Sequence, residues 1–147
     1  MGAVALCGPA GDTGRAMSQE NVEIVRRAVD MLNAGEVPEF MAPDLVLENA
    51  TTAVTDKTYV GAEGWREWMD DMFGAFGEDA RLQIDEILAD GEDYVVAITA
   101  LRGCGAASGA PLQLRWVTAV WLRGGLVTRV SGFPKRREAL EAVGLRE

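Results

Sequence analysis

The chain contains no histidine, and that absence excludes several kinds of functional site. Histidine is the usual general base near neutral pH, the partner of serine and cysteine nucleophiles, and the commonest metal ligand. A Ser–His–Asp triad, a Cys–His pair and a zinc site built on imidazole are therefore all excluded. Acid–base chemistry in this protein has to use other titratable groups, such as carboxylates.

Cysteines, basic residues and long apolar runs are also scarce. Because Cys7 and Cys104 lie far apart and outside any CxxC motif, we predict no disulfide framework and a cytoplasmic location. The 14 basic and 23 acidic residues give a formal net charge of −9, which argues against nucleic acid and anionic membranes as partners. No apolar run approaches the roughly 18 residues that a membrane span needs.

The first 16 residues differ in composition from the rest of the chain. They lack the basic segment and the long apolar core of a signal peptide. Gly8, Gly11 and Gly14 are spaced like glycines of a phosphate loop, but the Gly-Lys-Ser/Thr ending is absent. We therefore expect residues 1–16 to be a flexible leader and residues 17–147 to form one domain.

The rest of the chain is first helical in its periodicity and then alternating. Apolar residues recur every three or four positions over residues 18–33 and again over residues 62–76, which predicts two helices. A short helix is expected near Pro38, closed by Pro43, and a last one over residues 136–143. The predicted strands are residues 44–49, 81–89, 94–102, 112–122 and 126–133.

This order of elements predicts an α+β fold with helices packed on one face of an antiparallel sheet. In a strand with one solvent-exposed face, apolar side chains alternate with polar ones. Over residues 94–102 and 112–122, however, the side chains on both faces are largely apolar. Because the helices suffice for only one face, we expect a homodimer through the outer sheet face. Its predicted centre is Trp121, Ala119, Ile98 and Val96.

Three segments carry a resemblance to a known family: SQENVEIVRRAVDMLNAGE, YVGAEGWREWMDDMF and REALEAVGLRE. With the strands between them, the chain resembles the SnoaL-like branch of the nuclear transport factor 2-like superfamily. The resemblance implies a cone-shaped fold in which helices lie on the concave face of a curved antiparallel sheet and enclose a pocket, usually in a homodimer. Polyketide cyclases, ketosteroid isomerases, epoxide hydrolases and proteins without known activity share this fold, so it does not determine the function.

The catalytic residues that the resemblance would imply are mostly missing. Ketosteroid isomerases use an aspartate base with a tyrosine and a protonated aspartate. The matching positions here hold Asn49, Ala28 and Thr118. Limonene-type epoxide hydrolases use an Asp–Arg–Asp set, and Gly132 stands where the last aspartate belongs. The strand that carries the other two members offers Val95, Ala97 and Thr99.

Glu86 remains as a candidate catalytic base. It interrupts an otherwise apolar strand face, and a tight turn at residues 90–93 would place it opposite Ala97, inside the pocket. Apolar surroundings disfavour an ionised carboxylate and raise its pKa towards values that suit proton transfer. In the alternative interpretation Glu86 pairs with Arg102 or Arg115, or a register shift of one residue moves it to the outer face.

A small apolar molecule is the expected ligand, and neither a cofactor nor a metal is expected. Trp65, Trp68 and Met72 form an apolar helical stripe, and Tyr59 is expected on a loop near the pocket mouth. Asn49 and Thr118 are the predicted hydrogen-bond partners of Glu86. The predicted ligand-binding residues are Asn49, Tyr59, Trp65, Trp68, Met72, Thr99, Trp116 and Thr118.

The sequence leaves three functions open. The first is a small-molecule-binding protein with an apolar pocket. The second is a cofactor-independent isomerase or cyclase-like lyase that uses Glu86 for proton transfer. The third is a structural homodimer whose cone is filled by its own aromatic side chains.

Overall fold

A computed structural model describes residues 13–48, 57–104 and 111–145. Residues 1–12 of the predicted leader and Asn49 lie outside the described residues. No helix in the described ranges is both long and apolar enough to span a bilayer. The helices are α1 (Thr13–Asn33), α2 (Gly61–Phe76) and α3 (Arg136–Ala142), and the strands are β1 (Met41–Glu48), β2 (Thr58–Val60), β3 (Arg81–Asp90), β4 (Tyr94–Cys104), β5 (Pro111–Arg123) and β6 (Leu126–Phe133).

The strands form one six-stranded sheet in the order β2-β1-β6-β5-β4-β3. β1 runs parallel to β6, and every other neighbouring pair is antiparallel. The predicted α+β class is confirmed, although the sheet is mixed because β1 pairs in parallel with β6, the last strand of the meander. β2 was not predicted, since its three residues follow a polar stretch without alternation.

Two predicted boundaries differ from the structure. The short helix near Pro38 was wrong, because the chain there enters the sheet: the Val127 amide donates to the Phe40 carbonyl at 2.9 Å and Met41 pairs with Val127. The Phe40 carbonyl thus accepts its hydrogen bond from a neighbouring strand and not from a helical turn. At the amino-terminal end, α1 begins at Thr13, so residues 13–16 belong to the helix and not to the leader.

Two asparagines attach α1 to the β3–β4 hairpin. The Asn33 side chain donates to the Leu82 carbonyl and accepts from the Leu82 amide, both at 2.9 Å. The Asn21 side-chain amide donates to the Gly91 carbonyl at 3.0 Å and to the Glu92 carbonyl at 2.9 Å. Because β3 is an edge strand, its outer backbone groups have no neighbouring strand and can bond side chains instead.

The outer face of the sheet is partly covered by α3. Ala139 and Leu140 of this helix pack on Val96 and Ala119, which are fully buried. The expectation that helices cover only one face was therefore wrong, since the last helix crosses to the other side. The homodimer stays a prediction, to be tested by sedimentation. Of its predicted centre, Val96 and Ala119 are fully buried in the single chain, whereas Ile98 and Trp121 are only partly buried.

The pairing of β3 with β4 contains two irregularities that decide which way its side chains point. Ile84 pairs with Thr99 and Glu86 pairs with Ile98, so the intervening Asp85 is an extra residue in β3. A second shift follows between Ile87 and Ala89. Each β-bulge turns the next side chains to the opposite face.

The expected position of Glu86 opposite Ala97 was therefore wrong. Ala97 pairs with Ile87, and the exposed Glu86 stands opposite Ile98 on the outer face. The turn alone could not set the register, because the irregularity between Ile87 and Ala89 lies between the turn and Glu86. The bulge at Asp85 likewise reverses the alternation that Leu82 and Ile84 begin.

The bulge aims Asp85 at two arginines of the neighbouring strands. Its carboxylate accepts two hydrogen bonds from the Arg102 guanidinium, each 2.9 Å long, and lies 3.2 Å from the Arg115 Nε atom. The hydrogen bond from Arg102 is the main cause that lowers the pKa of Asp85 below its ordinary value. These arginines were considered as partners of Glu86, but they pair with Asp85.

We predict that Asp85→Asn lowers the melting temperature at pH 7 by about 1–3 °C, because it removes a partly exposed ion-pair network. The folded-state pKa of Asp85 is depressed, so its contribution is complete above the unfolded-state pKa and is lost as pH falls through the folded-state pKa. The difference between wild type and variant, measured by thermal melts from pH 7 to pH 2.5, should therefore shrink in acid. Glu86→Gln is the matched control, and an equal loss in both variants would contradict the assignment.

Candidate binding cavity

A cavity of about 60 Å³ lies between the sheet and the two helices on its inner face. Its walls come from α1, α2 and five of the six strands, so it is built by the whole domain and not by one loop. Almost every atom that faces it is apolar. The lining residues are Val25, Ala28, Val29, Leu32, Met41, Trp65, Trp68, Leu82, Ile84, Ala97, Thr99, Trp116, Thr118, Val120, Val127 and Val130.

Two tryptophans of α2 form the helical side of the cavity. The rings of Trp65 and Trp68 meet edge to face, with centroids 5.2 Å apart and planes inclined by 72°. The Trp65 indole N–H donates to the Glu36 carbonyl at 3.2 Å, which fixes this ring at the end of α1. α2 can approach the sheet closely because Gly64 lies against Tyr59, where a Cβ atom would come within 2.8 Å of the Tyr59 carbonyl carbon.

The polar groups of the cavity lie on adjacent positions of β4 and β5. Thr99 is paired with Trp116 and Ala97 with Thr118, so the three polar side chains share one face of the sheet. The Thr99 and Thr118 hydroxyls are joined by a hydrogen bond of 2.9 Å, and both residues are buried. One hydroxyl of this pair donates, so the other keeps its hydrogen for a further acceptor.

Trp116 carries a buried donor that the described residues leave unsatisfied. The residue is only 3% exposed, and its Nε1 atom has no hydrogen-bond partner in the described part of the chain. A buried donor without a partner costs about 1–3 kcal/mol relative to a paired one. Native proteins rarely keep such a group without a reason, which makes the indole N–H the most informative atom of the cavity.

None of the described residues that line the cavity has a titratable side chain. The carboxylate that the sequence placed there, Glu86, is exposed and belongs to the other face of β3. Within the described ranges, no group of three acidic or cysteine side chains could hold a metal ion. The cavity therefore offers hydrogen-bond donors in an apolar wall.

Of the eight predicted ligand-binding residues, Trp65, Trp68, Thr99, Trp116 and Thr118 line the cavity. Their role in binding a ligand stays a prediction. Two others lie elsewhere, and Asn49 lies outside the described residues.

Met72 and Tyr59 are part of the packed interior and do not line the cavity. Met72 is fully buried in the main core, one helical turn beyond Trp68. Tyr59 belongs to β2 and not to a loop, is 2% exposed, and donates its hydroxyl to the Asp71 carboxylate at 2.7 Å. The predicted place of Tyr59 at the pocket mouth was wrong, because pairing with Leu47 of β1 draws it into the sheet.

A polar cluster beside Tyr59 connects two elements of the fold and is not part of the cavity. Lys57 forms ion pairs with Glu67 and, at 3.6 Å, with Asp71, and its ammonium lies 5.2 Å from the centroid of the Tyr59 ring. The hydrogen bond to Glu67 is the main cause that raises the pKa of Lys57. These contacts join β2 to α2 at the surface, and none of the four side chains lines the cavity.

Sequence reasoning missed the residues that separate the cavity from solvent. Val29, Met41 and Ile84 line the cavity and are only partly buried. Their apolar character was visible in the sequence, but partial burial at a cavity wall depends on the path of β3 after its bulge. No short-range pattern encodes that path.

A family model for the SnoaL-like domain matches residues 25–130. The chain belongs to the SnoaL-like domain family. A search of curated proteins finds no significant match to this SnoaL-like protein.

Solved structures show the same fold at low sequence identity. A protein of unknown function from Mesorhizobium loti, described as NTF2-like, is 20% identical, with a TM-score of 0.61 over 80% of this chain and 93% of that one. TerC, co-crystallised with polyporic acid, is 19% identical, with a TM-score of 0.65 over 79% and 92%. SalBIII, described as an epoxide hydrolase/cyclase-like enzyme, is 17% identical, with a TM-score of 0.63 over 80% and 92%.

We predict that Trp116→Phe destabilises the protein less than Trp65→Phe by about 1 kcal/mol in the free energy of unfolding. Both changes remove a similar area of buried ring, but only Trp65 also loses a hydrogen bond, the one to the Glu36 carbonyl. Urea titration of the two variants measures the difference. Equal losses would show that the Trp116 N–H is already paired in the unliganded protein.

Proposed function

We propose that this SnoaL-like protein binds a small, mainly apolar molecule that carries a hydrogen-bond acceptor, such as a ketone or ester carbonyl. The observation that carries the proposal is the buried N–H of Trp116, which has no partner in the described residues although Trp116 lines a mainly apolar cavity. Aromatic and aliphatic walls supply affinity through buried area, while a few polar groups fix the orientation of the ligand.

An acceptor suits this cavity better than a donor does. The Trp116 indole can only donate, and one hydroxyl of the Thr99–Thr118 pair has its hydrogen to offer. A carbonyl oxygen has two lone pairs and could accept from both groups. A ligand with only donors would leave the indole N–H unpaired.

The volume of the cavity limits the ligand in this conformation. Drug-sized ligands occupy sites of roughly 300–1,000 Å³, against about 60 Å³ here. Affinity per non-hydrogen atom has a ceiling of about 1.5 kcal/mol, so a five-atom ketone binds no tighter than a few micromolar and more realistically in the millimolar range. The assay must therefore detect weak binding.

The isomerase or lyase alternative lacks a proton-transfer group in the described cavity wall. General acid–base catalysis needs a titratable side chain within hydrogen-bond reach of the substrate. Glu86, the proposed base, is exposed on the opposite face of β3 from the cavity-lining Ile84. This arrangement favours ligand binding over proton-transfer catalysis.

The structural alternative, a cone filled by its own side chains, also has an observation in its favour. Trp65, Trp68 and Trp116 line the cavity, and its volume is only about 60 Å³. This alternative differs from ligand binding in one respect that can be measured: it leaves the Trp116 N–H without a partner whatever is added.

We predict that 2-butanone shifts the indole N–H resonance of Trp116 in a ¹⁵N correlation spectrum, whereas 2-methyl-1-butene does so much less. The two molecules have nearly the same shape, but only the ketone has a strong acceptor. Trp116→Phe should weaken 2-butanone binding about five- to tenfold, which corresponds to one hydrogen bond of about 1 kcal/mol, and should leave the hydrocarbon nearly unaffected.

Trp121→Phe, on the outer face, is the matched control and should change neither affinity. If neither ligand moves any indole resonance at concentrations up to tens of millimolar, the filled-cone alternative is correct. If the hydrocarbon and the ketone bind equally to wild type and to Trp116→Phe, the cavity binds ligands but the indole does not select them.

A further inference from the structure

A surface groove of about 530 Å³ runs between α1 and β3, directly beside the cavity. Val29, Leu82 and Ile84 line both spaces. A wall one side chain thick therefore separates the buried cavity from the groove. The remaining groove residues are polar or charged: Arg26, Asp30, Asn33, Gln83 and Asp85.

The wall is thin where the backbone of β3 departs from regular pairing. Ile84 immediately precedes Asp85, the extra residue of the bulge, and a bulge bends its strand and increases the local twist. Val29 and Ile84 are only partly buried, whereas most of the cavity lining is fully buried. The side chains of this wall thus contact solvent on one side and the cavity on the other.

The two asparagine attachments lie on either side of this place. Asn33 holds α1 to Leu82, and Asn21 holds it to Gly91 and Glu92 at the hairpin turn. Ile84 lies between these attachments along β3. A change of rotamer at Ile84 would therefore open the wall without detaching α1 from the hairpin.

We infer that the α1–β3 groove is the outer half of the ligand site and that Val29 and Ile84 form the gate between the halves. This inference rests on the proposed function. A carbonyl bound at Trp116 in a cavity of about 60 Å³ leaves room for only a short substituent, so a longer chain has to leave through the wall. The ligand class is an alkyl ketone or ester whose carbonyl is near one end and whose chain crosses the wall along Val29, Leu82 and Ile84, the apolar residues of the groove.

A series of methyl ketones from 2-butanone to 2-nonanone tests this assignment. In the wild-type protein the dissociation constant should fall about twofold or more for each added methylene, since a fully buried methylene is worth about fourfold and the groove buries a chain only in part. Ile84→Ala removes the gate and should tighten 2-nonanone at least about threefold more than it changes 2-butanone. Ile84→Val is the milder variant if the alanine variant does not fold.

Met41→Ala is the matched control, because Met41 also lines the cavity and is partly buried but belongs to β1, away from the groove. It should alter both ketones by the same factor. Selective tightening of 2-nonanone by Met41→Ala and not by Ile84→Ala would overturn the inference and place the exit at β1. Binding of 2-butanone without any binding of 2-nonanone, in wild type and Ile84→Ala alike, would overturn it too.

These results are distinct from failure of the proposed function. If no ketone of the series binds, the function itself is wrong and the gate falls with it. If 2-butanone binds through Trp116 but chain length has no effect in either variant, the function stands and the groove is not part of the site.

Discussion

The pairing of β3 with β4 determines which side chains of β3 face the cavity and which face outward. One extra residue, Asp85, separates a regular ladder at Ile84 from one shifted by a residue at Glu86. With the shifts, Ile87 and not Glu86 pairs with the cavity-lining Ala97, and Glu86 lies on the outer face. The bulge also directs Asp85 to Arg102 and Arg115, so it is held by charge as well as by backbone geometry.

The chemistry of the cavity follows from that register. With Glu86 outside, the described wall consists of apolar side chains, two threonines and Trp116, whose buried N–H has no partner in the described residues. None of these described lining residues has a titratable side chain. Solved structures with this fold include an enzyme, but a shared fold does not by itself transfer an activity.

Much of the fold was predictable because strong periodic signals dominate it. α2, with its Trp and Met stripe, and β6 were found with nearly the observed bounds, since amphipathic helices and alternating strands of that length have few alternatives. The short helix near Pro38 was wrong because pairing with β6, distant in sequence, decides the structure of that segment. The packing of α3 on the outer face was missed as well, because it also depends on residues that are distant in sequence, such as Val96 and Ala119.

The site was predictable only where it depends on regular alternation. Trp116 and Thr118 are two residues apart on β5, a strand whose single recorded shift lies beyond them, and their shared face could be read from the sequence. Glu86 could not be placed, because the bulge that turns it outward is fixed by packing and by ion pairs of Asp85. The unpaired N–H of Trp116 and the thin wall at Ile84 likewise depend on three-dimensional packing that no local pattern records.

A crystal structure of the protein soaked in 2-butanone tests the central claim most directly. The account predicts electron density for one ketone in the cavity, with its oxygen about 2.9 Å from Trp116 Nε1 and within reach of the Thr118 hydroxyl. A Trp116 indole bonded to a protein acceptor, or a cavity that holds neither ketone nor displaced water at high ketone concentration, would contradict it.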